Sequence, residues 1–406
     1  MRSDGNRIYF DGRVQGDPLP GTAALHNLIR KLGYQDIVLD FRQSRFLSAE
    51  FMLPFTTMCR LYRQEKVDFE FIMPEDRPTA NLMINTNWAH LVAPEKFESK
   101  QDKNIHHLSA RQYFTPDEHF RAVDDSISVI LSSVPGIDRS KLKALEWALN
   151  EITDNVLNHA DSPVGGVMQV MTFPTRRRIE FFVCDAGMTI PRSLRSGKPD
   201  IADDTSALRA AIEEGVTRNK ITNQGNGLFG TFKCCEVSGG EFDIISGNVL
   251  LKHRPGELRV QRTQIPFSGT YVRAAIGYDF EKLLEKALVF GGKAHDPAFD
   301  YIERIYHLSS DCVAFKVKEE LNAFGSRGAG KHARTKIENL MDGGRMPIEF
   351  DFSDVRLISS SFADEVFGQL FLTLGPVRFG QLCRFKGVDT TVQALIDRAI
   401  MQRMSA

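Results

Sequence analysis

Short apolar runs alternate along the chain with stretches whose apolar positions recur every three or four residues, a pattern that predicts a mixed α/β (α+β) protein. DIVLDF near residues 36 to 41 predicts a strand, Ala49 to Glu65 a helix and VDFEFIM a second strand, so the first segment reads as a small βαβ module. Residues 95 to 115 turn polar (EKFESKQDKNIHHLSARQ and onward), the composition of an exposed connection. Residues 117 to 160 are predicted helical with a break near Pro135 and Gly136, and strands are expected in GVMQVMTF, RIEFFVCD, GEFDIIS and TYVRAAI. After Gly291 and Gly292 a third segment predicts a helix around residues 331 to 341, a strand in PIEFDF, a helix from Phe362 and a strand in LCRFKG. Three domains are expected, over residues 1–110, 116–282 and 297–406.

The first and third segments also align without a gap. LDFRQSRFLSAEF, from Leu39, lies over FDFSDVRLISSSF, from Phe350, at a constant offset, pairing Asp40 with Asp351, Phe41 with Phe352, Arg45 with Arg356, Ser48 with Ser359 and Phe51 with Phe362. This predicts a duplicated module, although two unrelated strand-to-helix turns would also share some of these identities.

Composition narrows the function classes. A chain of 406 residues exceeds what one core organises, which fits several domains. With 51 basic and 52 acidic side chains the net charge is −1, so no global field draws it to nucleic acid or to an anionic membrane. The six cysteines, at 59, 184, 234, 235, 312 and 383, lack metal or redox spacing, and such scattered thiols predict a reducing, cytoplasmic setting. MRSDGNRIYFDGR has no apolar core of a signal peptide, and no run of eighteen apolar residues predicts a membrane span.

Three pieces of the middle segment carry candidate chemistry. In LNEITDNVLNHA, Leu145, Leu149, Ile152 and Val156 form a buried stripe, and Glu151, Asn155 and His159 share a polar face at four-residue spacing. An Asn carbonyl suits a magnesium ion whose other ligands are phosphate and water, and a carboxylate one turn away can activate an attacking water. By itself this is also an ordinary solvated helix face. In FFVCDAGMTIP an apolar strand ends at Asp185 before Gly187, where a carboxylate can accept from the exocyclic amine of adenine; a plain Asp-Gly turn would look the same. In GVTRNKITNQGNGLFGTF, Gly225, Gly227 and Gly230 precede an apolar helix start, and Arg218 and Lys220 add charge, which suits phosphate held by backbone amides or else a simple flexible loop.

In this order the three pieces resemble the N, G1 and G2 boxes of the GHKL (Bergerat-fold) ATPase superfamily, over about 160 residues. The resemblance implies an α/β sandwich holding Mg-ATP, with Glu151 as general base, Asn155 as magnesium ligand, Asp185 and Gly187 at the adenine, and Gly225, Gly227 and Gly230 in the phosphate lid. Thr270, in FSGTYVRAAI, matches the family's threonine at the base pocket. Thr189 departs from the family's second glycine. ATP-dependent homodimer closure is a further implication. The flanks resemble STAS-like domains, with Ser359 and Ser360 where anti-sigma antagonists carry an Asp-Ser phosphoacceptor pair; the first copy has Ser48 and Ala49 there. Helix capping explains these serines equally well.

The expected function is a regulatory Mg-ATPase switch signalling to a protein partner through STAS-like modules, with an anti-sigma-type serine/threonine kinase as the alternative. GSRGAGKH at 325 to 332 has His332 in place of the P-loop Ser/Thr and follows a charged helix-like stretch, so no Walker site is expected. His106, His107 and His119 lack the surroundings of a histidine-kinase phosphoacceptor.

Overall fold

The computed structural model describes residues 1–100, 107–218, 225–297, 300–306, 312–321 and 323–404. The architecture is α+β, with several sheets of which none closes. The chain forms two compact units, Met1–Ser126 with Trp147–Asp296, and Ile127–Glu146 with Pro297–Ala406.

In the first unit a four-stranded sheet runs in the order Arg2–Asp4, Arg7–Tyr9, Asp36–Asp40, Asp68–Ile72, the last three parallel. A five-stranded antiparallel sheet has the order Glu241–Arg254, Glu257–Gly277, Arg178–Asp185, Gly166–Phe173, Arg111–Tyr113. Helix Ala49–Gln64 packs on Asp68–Ile72 of the first sheet and on three strands of the second. The two sheets therefore share one apolar core, which includes Phe55, Phe69, Phe182, Cys184 and Tyr271. Trp88, fully buried, donates its indole N–H to Gln169 across this junction at 3.0 Å. The expected connection at 95 to 115 is accordingly not exposed throughout: Leu108, Ala110 and Tyr113 are buried, and Arg111–Tyr113 adds an edge strand to the larger sheet.

This packing explains why the central strands read as unbroken apolar runs. Side chains alternate between faces, and here both faces are covered. Phe182 and Cys184 enter the core shared with the N-terminal module, whereas Val183 and Asp185 face a cavity on the other side. In the neighbouring strand Tyr271 joins the core while Thr270 and Val272 face the same cavity.

In the second unit Val313–Lys316, Ile348–Asp351 and Cys383–Lys386 make a parallel sheet in chain order. Residues 127–146 belong to this unit: Asn339 donates to the Leu131 and Val134 carbonyls at 2.8 Å, and the buried Lys336 ammonium reaches Ser128 at 3.0 Å. The expected helix at 331 to 341 spans Arg327–Leu340 and begins at its cap Ser326, whose hydroxyl accepts from the Ala329 N–H. Gly328 and Gly330 of GSRGAGKH are thus in a helix's first turn, and Gly325 precedes its cap.

The aligned segments share a strand, the turn after it and a helix start, but Ser44–Leu47 is a strand paired with Gly12–Val14 whereas the aligned 355–358 is not a strand. Asp36–Asp40 and Ile348–Asp351 each lie between two parallel neighbours. Asp40 accepts from the Arg42 N–H and Asp351 from the Ser353 N–H, the same two-residue turn, and Ser48 and Ser359 both occupy helix N-cap positions. No described helix is long and apolar enough to cross a membrane.

Candidate functional site

Helix Arg139–Asn155 presents Glu151 and Asn155 along one face because four residues are slightly more than one turn. A wider π turn, Val156–Ala160, continues it, and His159 stays on the same side. All three side chains line a cavity of about 380 Å³ within the first unit, within the range of small-molecule sites. Asp185 and Thr270 line it from the sheet, and Gly225, Asn226, Gly227 and Leu228 from the start of helix Gly227–Val237. Residues distant in sequence, carrying a strand-end carboxylate, a helix-face Glu-Asn pair and a glycine-bearing helix start, therefore share one space. Arg218 also lines it, while Lys220 lies outside the described residues.

Asp185 is nearly buried, and its Oδ1 accepts from the Gly187 N–H at 2.8 Å. Burial pushes its carboxyl up to about 7, against the hydrogen bonds from the Gly187 and Thr270 backbone. Thr270 Oγ1 lies 2.8 Å from Ser246 Oγ, which also accepts from the Ile190 N–H. Gly269, with φ of 103°, lets this strand approach Asp185, whose carbonyl would collide with a Cβ at that position. Burial likewise pushes Glu151 up to about 7, with Asp154 adding to the effect, and it lowers His159, which the Arg218 charge lowers further. Two carboxyls that ionise near neutrality in one cavity mark a site suited to proton transfer.

Two of the expected site glycines do not line the cavity. A Cβ on Gly187 would overlap the Ala160 carbonyl oxygen, so this glycine locks the turn after Asp185 against the end of the site helix. Gly230 packs on the Trp147 ring, one turn past Gly227, which itself packs on the Glu151 carboxylate. The three-residue spacing of these glycines thus fits two helices together, and Gly227 alone of the pair reaches the cavity. Gly187→Ala is expected to cost about 2–4 kcal/mol of stability, through forced backbone movement, and to weaken any ligand held at Asp185; thermal melts and binding titrations measure both.

No group of three or more His, Cys, Asp or Glu side chains suited to a metal occurs among the described residues. The Asn155 side-chain carbonyl is a hard oxygen donor of the kind suited to an ion that arrives with its own phosphate and water ligands, and Glu151 lines the cavity one turn away. Sequence reasoning misses Trp147, Phe290 and His295, which also line the cavity. Trp147 precedes Glu151 by one helical turn, a detectable spacing, but nothing in the sequence ties residues 290 and 295 to that helix.

Residues 329–393 match the family model described as a STAS-like domain of unknown function (DUF4325). This segment is STAS-like. No curated protein matches the chain. The STAS-like segment holds two of the three parallel strands of the second unit and the serine turn, and it suggests a regulatory role. Ser359 Oγ accepts from the Phe362 N–H at 3.1 Å and lies 3.0 Å from Ser361 Oγ, so Ser359 is the helix cap; Ser360 is exposed.

Proposed function

We propose that the chain is a GHKL-type, Mg-ATP-binding regulatory ATPase whose nucleotide state is passed to a protein partner through STAS-like modules. The observation that carries this reading is the convergence of Glu151, Asn155, Asp185, Gly225, Gly227 and Thr270 on one cavity. In it, the Asp185 carboxylate accepts from the adenine amine beside Thr270. The start of helix Gly227–Val237 offers its free N–H groups to phosphate oxygens, with Arg218 adding charge. Asn155 holds the magnesium, which neutralises phosphate charge, and Glu151 takes the proton of an attacking water. The resemblance to GHKL proteins extends the proposal to a homodimer, and the strand, turn and helix start shared by the aligned flanks support a STAS-like reading of the N-terminal module as well.

The exposed Ser360 of the STAS-like segment favours one second reading, transfer of the terminal phosphoryl group to a STAS-like serine. Incubating the intact chain with terminally labelled ATP and magnesium separates the two. We expect free labelled phosphate and no stable protein label. Label on the protein that disappears in Ser360→Ala would favour the kinase reading, and no turnover together with no binding of a non-hydrolysable analogue would reject both.

A further inference from the structure

The cavity is ordered along the helix Arg139–Asn155. At its C-terminal side the Asp185 turn is locked against Ala160 through Gly187; Asn155 and Glu151 follow in the N-terminal direction, and Trp147 stands one turn beyond Glu151. At 1.5 Å per residue that last step is about 6 Å. With a base at Asp185, a triphosphate directed along this helix brings its terminal group to Glu151, and the Trp147 end is the part of the cavity it then faces.

That end is built by a small hairpin. Val289 pairs with Ala294 and Phe290 with Lys293. Gly291 and Gly292, at φ 56° and 74°, have the two left-handed conformations of a type I′ turn, so the glycine pair that the sequence offered as a domain boundary is a tight reversal. The His295 N–H closes the hairpin on the Leu288 carbonyl at 2.8 Å. Two residues per strand cannot hold such a hairpin in water. What holds it is the Phe290 ring, 5.7 Å from Trp147 and 6.2 Å from Phe229, together with the Gly291 N–H donating to the Glu214 carboxylate. The His295 ring lies 5.6 Å from Phe290 and 6.0 Å from Trp147, and it is the polar member of this aromatic group.

We infer that His295, presented by the Phe290 hairpin, contacts the terminal phosphate of a bound nucleoside triphosphate and so distinguishes tri- from diphosphate. The inference rests on the nucleotide reading above. An imidazole N–H donates to a phosphate oxygen, and although the His295 ring is exposed, the Phe290 and Trp147 rings beside it hold it at the cavity wall. A diphosphate ends short of this group and gains nothing from it. The chain crosses between the two units after Ser126, Glu146 and Asp296, and the hairpin adjoins the last of these crossings.

The test uses tryptophan emission of the intact chain, in which Trp147 is half-buried on the cavity and Trp88 is sequestered in the core. Titrations with magnesium and either ADP or a non-hydrolysable ATP analogue are compared across variants. His295→Ala should weaken the analogue about tenfold, the effect of losing one hydrogen bond to a charged group, and leave ADP within about twofold. His295→Gln, which restores an N–H donor, should recover part of the loss, and Phe290→Ala should reproduce His295→Ala by releasing the hairpin. Equal effects on the two nucleotides, or none, overturn the inference while leaving the nucleotide site intact. A wild-type chain that binds neither nucleotide overturns both, and this is seen before any variant is compared.

Discussion

Asp185→Asn should abolish nucleotide binding, by at least about 100-fold, and at the same time make the protein more stable at alkaline pH. The binding loss follows from what the amide can offer. Gly187 N–H donates to Oδ1, so the Asn oxygen is retained on that side and its NH₂ takes the other position. A donor then faces the adenine amine where an acceptor is required, and a buried site built around one hydrogen bond strongly rejects the mismatched partner. Calorimetry with a non-hydrolysable ATP analogue and magnesium measures this.

The stability gain follows from linkage. Burial raises the Asp185 carboxyl from 3.8 to about 7, so the folded protein holds a proton there that the unfolded chain has released. The favourable contribution of that proton is complete below about pH 4 and is lost as pH rises through 7, since the folded state binds more protons over this window. At pH 8 the wild type carries the full cost of a buried charge, on the order of 2–4 kcal/mol, and the neutral Asn does not. The melting temperature of Asp185→Asn should exceed that of the wild type at pH 8 and converge with it at pH 4. Equal melting temperatures at pH 8 would mean that the carboxylate is already well solvated. The same titration makes nucleotide affinity of the wild type fall as pH drops from 8 to 6, because the proton goes to the oxygen that the Gly187 N–H leaves free and sets a donor against the base amine.

The parts of this site legible in the sequence are those where one residue type has few physical uses. Asp185 ends an apolar strand, where an Asp serves a turn or a ligand and here bonds the Gly187 N–H of the turn while lining the cavity; Glu151 and Asn155 share a helix face because their spacing dictates it. The strands DIVLDF, GVMQVMTF and RIEFFVCD were legible because both faces of their sheets are buried. Glycine is different. Gly187 and Gly230 both need the absence of a Cβ, and close approach to a neighbouring helix imposes that need as strictly as approach to a phosphate. Only the coordinates show which neighbour is present.

Other elements were hidden for different reasons. Arg111–Tyr113 is a strand within a polar stretch, and the buried Arg111 is tolerated because its guanidinium reaches the Ser109 hydroxyl at 2.9 Å and the Lys100 carbonyl. The outer halves of Glu241–Arg254 and Glu257–Gly277 extend well past the expected strands, and from Glu257 to Gln264 the residues are largely exposed and polar, so no apolar run announces them. Phe290 and His295 meet Trp147 across more than 140 residues with no shared spacing, and the contact exists only once the Gly291–Gly292 turn folds the chain back.

Glu151→Gln should leave nucleotide affinity within about threefold of the wild type and lower the turnover number by roughly 10²–10⁴, the usual contribution of a positioned general base. Gln keeps the size and packing of the side chain against Gly227 and the helix turn that carries Trp147, so the cavity survives and only proton acceptance is lost. Burial, with Asp154 beside it, sets Glu151 at about 7, close to the value at which a base is both ionised and proton-seeking. The sign of the pH dependence follows: kcat of the wild type should rise tenfold per pH unit below about 7 and level off above it. In Glu151→Gln the residual rate should lose that step. Asp185 titrates in the same range but acts on binding, so its signature belongs in KM and disappears from kcat once nucleotide is saturating. Turnover at the wild-type rate in Glu151→Gln would remove Glu151 from the chemistry while leaving the nucleotide-binding role of the cavity standing, and the proton acceptor would then have to be sought elsewhere along its walls.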